Sequence, residues 1–119
     1  MGAYVSVRGW LECDEGQLTA VRKIISSRED DYYSNGWGTP RQRVNWTYYL
    51  FYGADIRESA VNWFTGQLRE IAQIPDADGH FVRGLFFASH EVAGMTEWQV
   101  REGQLFTSPA DTRYQYLNE

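Results

Sequence analysis

One stretch limits the possible folds more than any other, the nine residues VNWTYYLFY from Val44 to Tyr52. Six of the nine are aromatic or leucine, and two others are β-branched, so the stretch favours a β-strand. Large side chains occupy both parities, and we therefore expect both faces of this strand to carry them. The pattern predicts a central strand with helices on one side and a sheet face rich in Tyr and Trp on the other.

The residues before this stretch predict a strand followed by a helix. Residues Ala3 to Cys13 alternate apolar and polar, as in a strand buried on one face. Asp14 then caps a helix, with Gln17 in the reciprocal position of a capping box, and apolar residues recur at helical spacing through Ser27.

A second helix is predicted directly after the central strand. Gly53 ends the strand, Asp55 is the expected N-cap, and Glu58 completes a second capping box. An apolar stripe follows and ends at Ile74, because Pro75 cannot continue a helix.

The last third of the chain reads as three strands. They span His80 to Ser89, with Gly84 marking a bulge or a crowded crossing, Thr96 to Arg101, and Gln104 to Thr107. Glu102 and Gly103 form a two-residue link typical of a tight hairpin. The aromatic tail after Pro109 predicts either a short edge strand or a docked segment.

The order β-α-β-α-β-β-β predicts one domain over residues 1–119, with α+β architecture. We expect a two-layer sandwich, with two helices on one face of a mostly antiparallel sheet of four or five strands. The alternative is that the first three strands run parallel through right-handed crossovers.

Composition narrows the range of partners and compartments. The formal net charge is -5, which disfavours nucleic acid and suits a basic partner, although a charge of this size is also ordinary for a soluble domain, where it keeps molecules apart. Residues Arg83 to Ala88 partly match the aromatic strand of RNA-recognition domains, but the chain has no basic patch to accompany them. A single cysteine, no leader pattern and no apolar run of membrane-spanning length predict a cytoplasmic protein without a membrane partner.

Residues that carry chemistry are few, and no catalytic, cofactor or metal site is predicted. His80 and His90 lie too far apart on one strand to share a metal ion, and His90 with Glu91 lacks a third ligand. Residues 76–79 predict a turn rather than a calcium loop. Cys13 has the inward parity of its strand, which indicates an inert thiol.

Aromatic residues supply the candidate contacts for a partner. The loop after the first helix carries Tyr32, Tyr33 and Trp37, and loops on a rigid scaffold often bind partners. Trp37 is equally expected to form a lid over the edge of the core. Three acidic residues precede the loop, namely Glu29, Asp30 and Asp31.

A second group of candidate contacts lies on the sheet. Trp10 has outward parity, and we expect Trp98 to share its face. The central strand continues that face through Trp46, Tyr48 and Tyr52 or through Tyr49 and Phe51. These rings form an interaction site, a second minor core or a homodimer contact.

Two short motifs carry a resemblance to a known group of proteins. Val7-Arg8-Gly9-Trp10-Leu11 in the first strand and Glu97-Trp98-Gln99-Val100 beside the Gly103 hairpin, together with the order of elements, resemble the small α+β immunity proteins of bacterial polymorphic-toxin systems. The resemblance implies a cytoplasmic protein that binds and blocks a cognate toxin domain and has no catalysis of its own. The alternative is a small-ligand-binding or structural homodimeric module, and an enzyme using His90 and Glu91 ranks third.

Overall fold

The computed structural model describes residues 3–30, 32–39 and 46–118. These residues form six strands, two α-helices and three short 3-10 helices. The strands and α-helices are β1 (Tyr4–Cys13), α1 (Glu15–Ser27), β2 (Trp37–Gly38), β3 (Tyr48–Arg57), α2 (Val61–Ala72), β4 (Arg83–His90), β5 (Gly94–Arg101) and β6 (Gln104–Pro109). The 3-10 helices are Ser34–Gly36, Glu58–Ala60 and Thr112–Asn118.

The six strands form one open sheet in the order β2-β3-β1-β4-β5-β6, and every neighbouring pair is antiparallel. The predicted α+β class and antiparallel sheet are confirmed, with β2 as an additional strand. The parallel alternative is wrong, because Cys13 at the end of β1 pairs with Tyr48 at the start of β3. The chain after α1 therefore returns to the end of the sheet from which α1 began.

The aromatic stretch lies beside the middle of the sheet rather than at its centre. β1 has three strands on one side, β4 to β6, and two on the other, whereas among the described residues β3 is bordered on its outer side only by the two residues of β2. Val44 and Asn45, where this strand was predicted to begin, lie outside the described residues. β3 also continues beyond Tyr52, to Arg57.

That continuation corrects the predicted start of the second helix. Asp55 is not a helix cap but a strand residue paired with Ser6, whose hydroxyl donates to its carboxylate at 2.6 Å. α2 begins at Val61, and its N-cap residue Ala60 makes no side-chain capping bond. The ladder with β1 runs as far as Arg57, so long-range backbone pairing outweighs the local capping signal.

The first capping box is confirmed. The Asp14 carboxylate accepts from the Gln17 backbone N–H at 2.8 Å, and the Gln17 side-chain oxygen accepts from the Asp14 N–H at 3.0 Å. Gln17 is buried, and its amide also donates to the carbonyls of Ile74 and His80. The Gln17 side chain therefore links α1 by hydrogen bonds to the connection between α2 and β4.

Glycine allows β1 and β4 to approach each other closely. A Cβ added to Gly9 would lie 2.2 Å from the Leu85 carbonyl oxygen, and one added to Gly84 would lie 2.4 Å from the Trp10 carbonyl oxygen. The ladder on either side of Gly84 is continuous, so this position is a crowded crossing and not a bulge.

The predicted hairpin between β5 and β6 is confirmed. Glu102 and Gly103 have φ values of 52° and 76°, as a two-residue turn of type I′ requires. β4 starts at Arg83, later than predicted, and His80 lies in the turn before it. The chain after Pro109 forms the 3-10 helix Thr112–Asn118, so the docked segment rather than the edge strand is observed.

Both α-helices cover the same face of the sheet, and Phe64 of α2 lies at the centre of an aromatic cluster. Its ring centroid is 4.4 Å from that of Tyr52, 5.5 Å from that of Phe86 and 6.0 Å from that of Trp98. Trp37 stacks on Phe64 at 5.6 Å. Of the two interpretations of Trp37, the structure therefore shows the lid over the core.

Candidate functional site

The sheet face turned away from the helices, called the open face below, is the candidate functional site. Strand parity places Tyr49 and Phe51 on it, with exposed fractions of 42% and 52%. Tyr48 and Tyr52 have the opposite parity and pack against the core. Trp46 precedes β3 and is exposed.

Trp98 does not lie on the open face, and this prediction is wrong. Trp98 pairs with Phe86, whose ring packs on Phe64 of α2, and only 5% of Trp98 is exposed. The parity of β5 follows from its register with β4. Of Trp10 and Trp98, Trp10 is therefore the one that lies on the open face, with Tyr49 and Phe51 of β3.

An apolar band crosses the open face. Cross-strand pairs link Phe51 to Trp10, Trp10 to Leu85, Leu85 to Gln99 and Gln99 to Phe106. We call Phe51, Trp10, Leu85 and Phe106 the apolar band. Since neighbouring strands lie about 4.8 Å apart, the band extends about 19 Å over five strands. Phe51 is exposed and the other three are half-buried.

Polar contacts hold Trp10 in place within the band. The Trp10 indole N–H donates to Glu12 at 2.8 Å, and the other oxygen of Glu12 lies 3.6 Å from the Arg83 guanidinium. These contacts reduce the rotamer freedom of the Trp10 ring. A preorganised ring loses less conformational entropy on binding than a mobile one.

A second set of contacts holds Phe106, the last residue of the band. The Arg101 guanidinium lies over the Phe106 ring at 4.1 Å and donates to the Gln99 side chain at 2.8 Å. Gln99 in turn donates to Glu97. Tryptophan, tyrosine and arginine are the residue types most enriched at binding hot spots, and all three lie on this face.

The C-terminal segment, residues 110–118, covers the adjoining part of the open face. The Tyr114 ring packs on Phe87 at 4.8 Å, and the Arg8 guanidinium donates to the Leu117 carbonyl at 3.1 Å. Phe87 and Met95 are buried beneath it. The apolar band forms the neighbouring row of residues on this face.

The predicted loop contacts lie elsewhere, beside the end of α1 and the edge of β3. Tyr32 is 83% exposed and Glu29 is exposed, but Asp30 serves the loop itself by accepting the backbone N–H groups of Tyr32 and Tyr33. The Tyr33 hydroxyl accepts from the Arg57 N–H at 3.2 Å. Asp31 lies outside the described residues.

A cleft of about 580 Å³ opens at the end of the sheet where β1 finishes. Its walls include Glu12, Arg83 and Arg101 from the open face, and two rings, Trp46 and Phe81, which are 76% and 40% exposed. The volume falls within the range of small-molecule sites. The cleft and the open face therefore share three charged side chains.

Asp76, Asp78 and His80 are the residues whose geometry comes nearest to a metal site in the described part of the chain. Their candidate ligand atoms lie within 4.8 Å of one another. One oxygen of Asp76 already accepts the backbone N–H groups of Asp78 and His80 at 2.8 Å, and the His80 backbone bond is the main cause that lowers the Asp76 pKa. The residues form the predicted turn, which these bonds hold.

The remaining reactive groups are committed to structural contacts. His90 bonds to Glu58 rather than to the adjacent Glu91, and its Nδ1 accepts the backbone N–H groups of Val92 and Ala93 at 3.0 Å. Burial, and then the charge of Asp14, raise the pKa of the Cys13 thiol to about 11. That thiol is therefore protonated at neutral pH.

The chain matches no protein-family model, no curated protein and no solved structure. Among the described residues, no helix is long and apolar enough to cross a lipid bilayer. Sequence reasoning did not identify Leu85, Phe106, Arg83 or Arg101 as parts of the site. The alternation of residues along each strand was evident in the sequence. Which of the two alternating sets faces the helices depends on the register between distant strands.

Proposed function

We propose that this protein is a non-enzymatic immunity or inhibitor protein that acts in the cytoplasm and neutralises a cognate bacterial toxin domain by binding it. The observation that carries the proposal is the apolar band on the open face, in which Trp10 is held by a hydrogen bond and Phe106 by a cation–π contact. A helix-covered sheet that leaves an ordered row of large side chains open has the anatomy of an interface core with a charged rim.

The polar rim supports a protein partner in particular. Glu12, Arg83, Glu97 and Arg101 border the band with both signs of charge. Such a rim gives register and orientation to a docked protein surface, while the rings supply most of the affinity. The net charge of -5 speeds association with a basic toxin domain.

The predicted contacts then divide by role. Trp10 is proposed as a central anchor together with Phe51. Tyr32 and Glu29 are exposed and remain candidates for a second, peripheral contact. Trp37 and Trp98 support the fold from the core.

Co-expression with a toxin domain encoded beside this protein in a sensitive host tests the proposal. We expect the cells to survive and the two proteins to elute as one complex in size-exclusion chromatography. Continued killing without a complex would contradict the proposal. A toxin domain with an inactivated catalytic residue is the control for expression. Because it does not kill the cells, its complex with this protein should form in every host.

The cleft favours a second candidate function, a small-ligand-binding module. Trp46 on its wall provides a fluorescence signal, and the rings and charges there suit a small polar molecule with an aromatic part. Screening metabolites by thermal shift, with Trp46→Phe as the spectroscopic control, tests this candidate. A metabolite that raises the melting temperature of the native protein in the absence of a toxin domain would favour ligand binding over toxin neutralisation.

A further inference from the structure

The outer edge of β6 is an unprotected strand edge. β6 ends the sheet, and no other segment of the described chain pairs with its outer side. Its residues 104–109 are QLFTSP, which include no charged side chain and a proline only at the last position. Natural edge strands are commonly blunted by charges or prolines, because free backbone groups pair readily with another strand.

The register determines which backbone groups are free. The two-residue turn makes Arg101 and Gln104 a hydrogen-bonded pair, and hydrogen-bonded pairs recur at every second residue. The Ala110 N–H donates to the Met95 carbonyl at 3.0 Å, as expected if hydrogen-bonded pairs alternate in this way from Arg101 and Gln104. The N–H and C=O groups of Leu105 and Thr107 therefore point outward from the sheet.

The rest of the chain leaves this edge open. After Ala110 the C-terminal segment crosses the open face from β5 to Phe87 of β4 and Arg8 of β1, away from β6. Pro109 has no N–H and limits pairing at that end of the strand. The edge available to a partner is thus short and centred on Phe106.

We propose that β6 pairs with β6 of a second copy of this chain, antiparallel, about a two-fold axis at Phe106. Leu105 then exchanges two hydrogen bonds with Thr107 of the partner subunit, and Thr107 exchanges two with Leu105 of the partner subunit. Phe106 faces Phe106 of the partner subunit in a non-hydrogen-bonded pair, where side chains approach most closely. The two sheets join into one, and the two apolar bands become continuous.

Self-complementarity favours a second copy over an unrelated strand. About this axis Gln104 opposes Ser108 of the partner subunit, so no like charges meet within the strand pair. The axis also uses the edge completely, which closes the assembly at two copies.

Thr107→Pro tests the pairing directly, because the Thr107 N–H points outward and its loss removes no bond to β5. We expect the native protein to form dimers by sedimentation equilibrium in the range of roughly 0.1–1 mM, as suits a small interface. Thr107→Pro should be monomeric there and keep the native melting temperature, while Thr107→Val, which retains the N–H, should still dimerise.

Two further variants separate dimer loss from misfolding. Ser108→Pro removes a bond to β5 and should lower the melting temperature, unlike Thr107→Pro. Phe106→Glu keeps a favourable contact with Arg101 but places two carboxylates across the axis, and should be a folded monomer. A native protein that stays monomeric at about 1 mM, or a Thr107→Pro or Phe106→Glu variant that dimerises like the native protein, would overturn the proposal.

Discussion

At the scale of single residues, two buried glutamines show how the cost of a buried polar group depends on its partners. Gln17 makes hydrogen bonds to Asp14, Ile74 and His80. Gln67 on α2 is fully buried, and neither its side-chain oxygen nor its nitrogen has a hydrogen-bond partner among the described residues. The same side chain therefore stabilises the fold at Gln17 and destabilises it at Gln67.

Gln67→Met is expected to raise the free energy of unfolding by about 1 kcal/mol, since an unsatisfied amide is replaced by an apolar side chain of similar volume. Gln17→Met is the matched comparison and should lower it by about 1–3 kcal/mol, because it removes the hydrogen bonds of a buried side chain to the backbone of Asp14, Ile74 and His80. Urea denaturation of both variants measures the difference. Equal destabilisation by the two substitutions would contradict this account.

The thiol of Cys13 should be protected against alkylation in the native state. Its pKa is raised from 9.0 to about 11, so at pH 8 the thiolate fraction is about 100-fold lower than in the unfolded chain. Iodoacetamide labelling in buffer and in urea measures this ratio. Labelling at the same rate in both conditions would contradict the assignment.

The same shift links Cys13 to stability at high pH. The folded pKa lies above the unfolded value, so the contribution of the protonated thiol is fully present below pH 9.0 and is lost as the pH rises towards about 11. We expect Cys13→Ser to reduce the loss of stability over this interval, measured by urea denaturation at a series of pH values.

At the scale of elements, signals were reliable where the decisive contacts are local. The capping box at Asp14 and the turn at Glu102 and Gly103 form as predicted, because each depends on residues a few positions apart. The second predicted capping box, at Asp55, does not form, because Asp55 pairs with Ser6 of β1 and belongs to the sheet. The strand β2 gave no periodic signal, since it contains only two residues.

This contrast predicts different effects for two aspartate substitutions. Asp14→Ala should lower the free energy of unfolding by about 1 kcal/mol, as expected for loss of an N-cap. Asp55→Ala removes only an exposed bond to the Ser6 hydroxyl and should have a smaller effect. Chemical denaturation of both variants gives the comparison, and a larger effect of Asp55→Ala than of Asp14→Ala would contradict it.

At the scale of the whole molecule, the sheet has one face packed against the helices and an opposite face that the C-terminal segment covers in part. Both faces carry tryptophan, and composition does not distinguish Trp98 in the core from Trp10 on the open face. Register does, because it couples the parity of each strand to that of its neighbours. The fold class was therefore predictable from the sequence, whereas the membership of the candidate site required the strand order.

Register also decides which residues of the central strand lie on the open face, where the sequence allowed either Tyr48 and Tyr52 or Tyr49 and Phe51. Both parities of the aromatic stretch carry large side chains, and pairing of Leu11 with Leu50 assigns Leu50, and hence Tyr52, to the helix side. Phe51 then lies opposite Trp10, on the open face. The apolar band is thus a product of long-range pairing rather than of any local motif.

The most direct test of the open face as the docking surface is the affinity for the toxin domain by isothermal titration calorimetry. Trp10→Ala combined with Phe51→Ala should weaken the complex at least about 100-fold, since truncating hot-spot rings typically costs 2 kcal/mol or more. Lys23→Ala, an exposed residue of α1 on the helix side, should leave the affinity unchanged. An unchanged affinity for the folded double variant would contradict the account.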